Sequence, residues 1–224
     1  MAEVLFVFPV LLVYHVGTHL TDVRNGVDLV SALLALLYAR LPWAVLVVDG
    51  VIVASFVSLY VYARRKERFA LRMLWTVVAE STLYALTMGT VIVVLLIFVF
   101  GLQPPILSTK TVDRWVEVVF VSSGAGFYEE LIFRLLMYGG TVWLLENHTR
   151  LHRSTAVAIG MVVSAGLFAL AHHVPPQGEA LAVWPFAFRA LAGLVFAAIY
   201  ELRGFSVAVY THTLYDIYVL GFAG

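Results

Sequence analysis

The stretch GAGFYEELIFRLL, residues 124–136, sets two adjacent glutamates and an arginine inside a run that otherwise has the composition of membrane hydrocarbon. Charge at bilayer depth is costly, so such side chains face a bundle interior or a wet cavity and mark function by default. If this run is a membrane helix, Glu129, Glu130 and Arg134 must find their partners on other helices.

Composition agrees with a membrane setting. Of 224 residues 62% are hydrophobic and 12% charged, with a mean hydropathy of +0.95, more apolar surface than one soluble core of ordinary proportions hides. The formal net charge is zero and no long basic block occurs, which argues against nucleic acid as a partner. Cysteine is absent, which excludes disulfides, thiolate metal sites, iron–sulfur clusters and a cysteine nucleophile.

Apolar runs of about 20 residues, enough to cross a core of roughly 30 Å, lie at 41–63, 73–101, 115–146, 154–173, 181–200 and 204–222. Val4 to His19 adds a shorter first helix, with no basic segment before it and no A-x-A cleavage pattern after it. The run 28–40 is shorter still and reads as interfacial or re-entrant. The expectation is an all-α, polytopic transmembrane helix bundle of about seven helices, six to eight being compatible with the runs. No linker, repeat or low-complexity tail divides it, so residues 1–224 read as one integral membrane domain. The loop carrying Arg64, Arg65, Lys66, Arg68 and Arg72 shares a side with Arg150, Arg153 and Arg203, against Arg24, Arg40, Lys110 and Arg114 opposite. This bias puts the 64–72 loop in the cytoplasm.

The ionisable residues inside the runs are Asp49, Glu80, Glu129, Glu130, Arg134, His172, His173, Arg189, His212 and Asp216. Most fall on the last four helices, in patterned pairs. Glu130 and Arg134 are four apart and share a helix face, while Glu129 points about 100° away. His212 and Asp216 repeat the spacing, as do Phe168 and His172. Each pair alone reads equally well as packing: buried ion pairs fix register, and a lone membrane histidine is often hydrogen-bonded filler. Asp49 and Glu80 read as structural, and Arg189 as a counter-ion to Glu80 or Glu130. The repetition on consecutive helices favours a cavity between the last four helices, lined by acids and imidazoles.

EELIFR (Glu129 to Arg134), FALAH (Phe168 to His172) and HTLYD (His212 to Asp216) resemble, in order and spacing, the E-E-x-x-x-R, F-x-x-x-H and H-x-x-x-N/D motifs of the CAAX-protease and bacteriocin-processing family of intramembrane endopeptidases. The resemblance covers 114–220, which it marks as a catalytic core. It implies hydrolysis of a peptide bond near the terminus of a membrane-associated protein or peptide, within the lipid bilayer. It implies Glu129 as the base, His172 orienting the same water, His212 with Asp216 at the oxyanion, and Glu130 with Arg134 holding the first glutamate's helix. Two proposals exist for that family, a zinc-bound water and a metal-free glutamate-driven one. Glu129, His172, His212 and Asp216 have the chemistry of Zn²⁺ ligands, so both stay open. Where many members carry asparagine, this chain has Asp216. An ionised carboxylate cannot donate to an oxyanion, so Asp216 must be protonated, bind metal, or orient His212. His173 points away from His172 and takes no catalytic role, and Pro175 and Pro176 end that helix.

Other intramembrane proteases fit less well. GFSV at 204–207 matches a short serine-protease pattern at a helix start, YD at 215–216 lacks the second aspartyl motif, and H-E-x-x-H is missing. A small transporter or channel with a mid-membrane proton or ion relay is the alternative, and a non-catalytic scaffold that binds a membrane helix is a third reading. The location expected is a multi-pass position in a bacterial or archaeal cell membrane, or in the endoplasmic reticulum of a eukaryote. Because 115–146 is too long to lie wholly in the membrane, its first turns project on the non-cytoplasmic side, and the cavity is expected to open there under the VPPQGE loop that includes Gly178.

Overall fold

The computed structural model of the protein describes residues 2–21, 43–65, 71–104, 115–174 and 180–223. Each apolar run within them becomes helix. In chain order these are α1 (Ala2–Leu20), α2 (Ala44–Arg65) and α3 (Leu71–Phe98). Next come α4 (Trp115–Gly124), π1 (Ala125–Tyr138) and α5 (Gly139–His148), end to end. Then follow α6 (Arg153–Ala171), α7 (Val183–Arg203), α8 (Phe205–Tyr218) and a final turn, π2 (Val219–Ala223). With α4–π1–α5 taken as one rod and α8–π2 as another, the described residues form seven helices and no strand. The run 28–40, Pro175, Pro176 and Gly178 lie outside the described residues, as does the side chain of Asp49.

Arg72–Phe98, Arg153–Ala171 and Val183–Arg203 are long and apolar enough to cross a membrane, and Leu5–Leu20 and Gly50–Ala63 are apolar over a shorter length. The chain is a membrane protein. The run 115–146 departs from the uniform span expected of it, because its middle changes winding. In a π-helix each N–H reaches the carbonyl five residues back, and at the exit of π1 the Gly139 N–H donates to Arg134 O. Such winding is usually a single turn placed at a functional site. Here it runs 14 residues and carries Glu129, Glu130 and Arg134. Ser164 of α6 donates to the Phe133 carbonyl at 2.6 Å, tying π1 to its neighbour through a buried polar contact of the kind used between membrane helices.

Two glycines set how closely the site helices approach. Gly126 faces α8, where a Cβ would overlap Thr213 Oγ1 and come within 2.8 Å of the Thr213 nitrogen. The absence of a side chain there lets the backbones close up and brings the two glutamates beside His212. Gly204 joins α7 to α8 at φ +91°, a conformation that costs glycine little and other residues much. The Glu3 carboxylate accepts from the Phe205 N–H at 2.5 Å, an acid at the positive end of the α8 dipole. Tyr210 Oη donates to Phe6 O at 3.0 Å. Through these contacts α1 fixes the height of α8 and of the His212 it carries.

One end of the bundle is polar. Arg153 bridges Glu146 and Glu201, at 2.9 Å each. Arg203 pairs with Glu80 at 2.5 Å, and Tyr84 Oη donates to the same carboxylate at 2.8 Å. Glu80 thus takes Arg203 as its counter-ion, which corrects the assignment of Arg189 to that place: the α7 terminus lies beside α3, whereas Arg189 stands four turns earlier in the helix. Arg65, Arg72, Arg150, Arg153 and Arg203 all belong to this end.

Candidate active site

The side chains singled out in the sequence meet where π1, α6 and α8 converge. Glu129 is 5% exposed, His212 3%, and Glu130 and Arg134 are fully buried. Glu130 Oε2 lies 3.1 Å from Arg134 Nε, the ion pair expected from the four-residue spacing. Its other oxygen, Oε1, is 2.7 Å from His212 Nδ1. This second contact joins residues 82 apart in the chain, and no local pattern announces it. Glu130 therefore serves as more than helix glue: it holds the His212 ring. The Arg134 guanidinium lies over the Phe168 ring at 4.5 Å and the Phe196 ring at 5.3 Å, a cation–π setting for a buried charge. Glu130 has Arg134 as its counter-ion, so Arg189 is not needed for that role either.

His172 ends α6. Its Nδ1 is 2.8 Å from Phe168 O, and because a carbonyl only accepts, Nδ1 carries the proton. Nε2 is thereby turned to Glu129 Oε2, 3.6 Å away. His212 Nε2 lies 3.8 Å from the same oxygen and 3.6 Å from Asp216 Oδ2. These gaps exceed a direct hydrogen bond and fall short of the roughly 4.5 Å set by a water donating to both groups, so a water enters with a small outward shift of either side chain. Phe168 packs against the His172 ring at 4.7 Å, and Phe196 stacks on the His212 ring at 4.5 Å. Both imidazoles are oriented on one ring nitrogen and present the other to Glu129. His173 turns to Phe186, ring to ring at 6.1 Å. Asp216 meets the Nε2 side of His212, while Nδ1, the orienting position, belongs to Glu130.

The acids open onto a cavity of about 600 Å³. Glu129, Asp216 and Arg189 line it among apolar side chains that include Val121, Trp184, Phe188 and Leu220. Val93 and Pro104 also line it, so α3 and the segment after it supply a wall beyond the last four helices. A recess of about 60 Å³ lies among His172, His212, Asp216 and Arg189, enough for water. Sequence reasoning gave Arg189 only a counter-ion's place and missed its position on the cavity wall, together with Phe196 and the second role of Glu130. The depth of an arginine in the middle of α7 was the one available signal.

The zinc reading can be tested against these distances. Bonds of 2.0–2.1 Å in a tetrahedron place donor atoms about 3.4 Å apart, and the gaps here are 3.6–3.8 Å. Among the described residues no three such side chains are disposed to hold a metal ion. The donor types suit zinc, their spacing as found does not, and the chemistry below uses the side chains alone.

Comparison with protein-family models matches residues 110–218 to the family described as type II CAAX prenyl endopeptidase Rce1-like. Neither the curated proteins nor the solved structures gave a match.

Proposed function

Through residues 110–218 the chain belongs to the Rce1-like family of type II CAAX prenyl endopeptidases, which are peptide hydrolases, and from that premise we propose that Glu129 drives the cleavage. The substrate is a peptide bond near the terminus of a membrane-associated protein or peptide, reached from within the bilayer by a multi-pass enzyme. The observation that supports this most is the convergence of Glu129 Oε2 with the Nε2 atoms of His172 and His212, at 3.6 and 3.8 Å.

A water between Glu129 and His172 gives one hydrogen bond to each and keeps a lone pair for the scissile carbonyl carbon. As the new C–O bond forms, the water's proton passes to Glu129 and the carbonyl oxygen takes up the displaced electron pair. His212 meets that oxyanion with Nε2–H. Since Nδ1 already donates to Glu130, this requires the doubly protonated ring. Three carboxylates, Glu129, Glu130 and Asp216, face two guanidinium groups, Arg134 and Arg189, and an imidazolium at His212 balances the set. Glu129 then returns the proton to the leaving amine as the C–N bond breaks. Asp216 needs no donor role here: it supports the charged ring in place of the amide found in many relatives.

The test is a comparison of membrane proteomes from cells with wild-type protein and with Glu129→Gln. The expected outcome is a terminus left uncleaved in the variant, which still accumulates and binds substrate. A proton relay would give unchanged termini in both.

The side from which substrate arrives follows from the two ends of the bundle. Pro104, Trp184, Pro185, Val219 and Leu220 line the cavity at the end opposite Arg65, Arg72, Arg150, Arg153 and Arg203. With the arginine-rich end in the cytoplasm, the mouth faces outward. Val183 is 69% exposed and the chain has no cysteine, so Val183→Cys should react with a membrane-impermeant thiol reagent on intact cells. Labelling only after lysis would reverse the orientation.

A further inference from the structure

Residues 110–218 carry the family match, and α1 (Ala2–Leu20) stands wholly before them, yet α1 grips both of the elements that carry Glu129 and His212. At its first turn Glu3 accepts from the Phe205 N–H of α8. Twelve residues further on, about 18 Å along the helix, His15 Nε2 lies 3.1 Å from Tyr128 Oη of π1. A phenol both donates and accepts, so this hydrogen bond forms with either tautomer of the imidazole. Tyr128 is 3% exposed, and its ring stands edge-on to Tyr14 at 5.5 Å and to Phe127 at 5.2 Å. Its neighbour in sequence is Glu129, which is turned into the large cavity.

What Tyr128 secures is rotation. π1 keeps its i→i+5 winding over 14 residues, where a single turn is usual, and rewinding any part of it to i→i+4 would swing Glu129 about the axis of the rod. On the α6 side the Ser164 bond to Phe133 O holds the rod, and on the α1 side His15 holds it through Tyr128. Glu129 Oε2 stands 3.6 and 3.8 Å from two imidazole nitrogens, and a misplacement of about 1 Å caused at a distance can cost on the order of 10²-fold in rate. Building on the proposed role of Glu129 as the base, we infer that His15 is a positioning residue for the hydrolysis: through its hydrogen bond to Tyr128 it sets the angle at which π1 presents Glu129. α1 thereby spans the two halves of the site, with one anchor on α8 and the other on π1.

The experiment starts from Tyr128→Phe, which keeps the ring and its contacts and removes only the hydroxyl. With the full-length protein in nanodiscs and the tail identified by the Glu129→Gln proteome comparison, this variant should lower kcat about tenfold and leave KM within about twofold, because the cavity wall is untouched. His15→Ala should give the same split and the double variant no further loss. His15→Gln, which still offers Tyr128 a hydrogen-bonding group, should recover most of the rate. The placement of Glu129 is read without turnover from its infrared carboxylate band, identified as the band that Glu129→Gln removes, and Tyr128→Phe and His15→Ala should move it alike. An unchanged kcat in Tyr128→Phe overturns the inference, as does a loss that falls on KM alone, or a His15→Gln no faster than His15→Ala. Cleavage by wild type with a band that neither variant moves leaves the protease reading standing and removes this one. A band moved by both variants in a protein that cleaves nothing does the reverse.

Discussion

The two ends of the bundle use the same residue types to opposite purpose. At the polar end Arg153, with its side chain 61% exposed, bridges Glu146 and Glu201, and Arg203 joins Glu80. In the interior Arg134 and Glu130 pair at 3.1 Å with neither side chain exposed. Solvent screens the first set, and holding long side chains in place offsets much of what little remains. The second set has no solvent to fall back on, so removing one partner strands the other. Ion pairs at the surface mark where the bundle meets water, whereas the buried pair fixes the imidazole that faces the cavity.

This contrast is sharpest at Glu129, next to Glu130 but turned to the cavity. Glu129→Gln, His172→Ala and His212→Ala should each lower cleavage by about 10²-fold or more, with folded yield near wild type for the first two and reduced for His212→Ala, which takes a buried partner from Glu130. Wild-type rates in any of the three, measured on a purified substrate tail, would remove that residue from the site. Arg134→Ala comes next, with an expected loss of roughly 3–5 kcal/mol of stability. Replacing Glu130 and Arg134 together by apolar residues of similar size should cost less stability than either single change, although the His212 support goes with them. Denaturant melts of the three variants decide it, and additive losses would mean that the two residues act apart.

Gly126→Ala should be milder for stability, about 1–3 kcal/mol as for other overpacked sites, because Thr213 and the α8 backbone must give way. It should also slow cleavage, since the same displacement separates Glu129 from His212. A variant as active as wild type would show that the approach at Gly126 does not set the site. The smallest effect belongs to the polar end: Arg203→Ala should leave both the thermal midpoint and the cleavage rate close to wild type. A large drop there would erase the distinction between the two ends.

Much of the site was legible because its parts repeat at helical spacing. Glu130 with Arg134 and His212 with Asp216 lie where a four-residue period puts them, at 3.1 and 3.6 Å. The helical class followed from hydropathy alone. What sequence could not supply was the pairing between helices. Whether Glu129 or Glu130 would meet His212 depends on the rotation of π1 against α8, which the contact at Gly126 and the wider winding decide together. The partner of Glu80 was misassigned for the same reason: Arg203 and Arg189 are both on α7, and only packing tells which turn lies against α3.

Phe168 touches both halves of this arrangement. Its ring lies under the Arg134 guanidinium and against the His172 imidazole, and its carbonyl accepts from His172 Nδ1. Arg134 and His172 should therefore be thermodynamically coupled through a residue that belongs to neither function. In a double-mutant cycle the effects of Arg134→Ala and His172→Ala would depart from additivity, and the departure would shrink when Phe168 is first replaced by leucine.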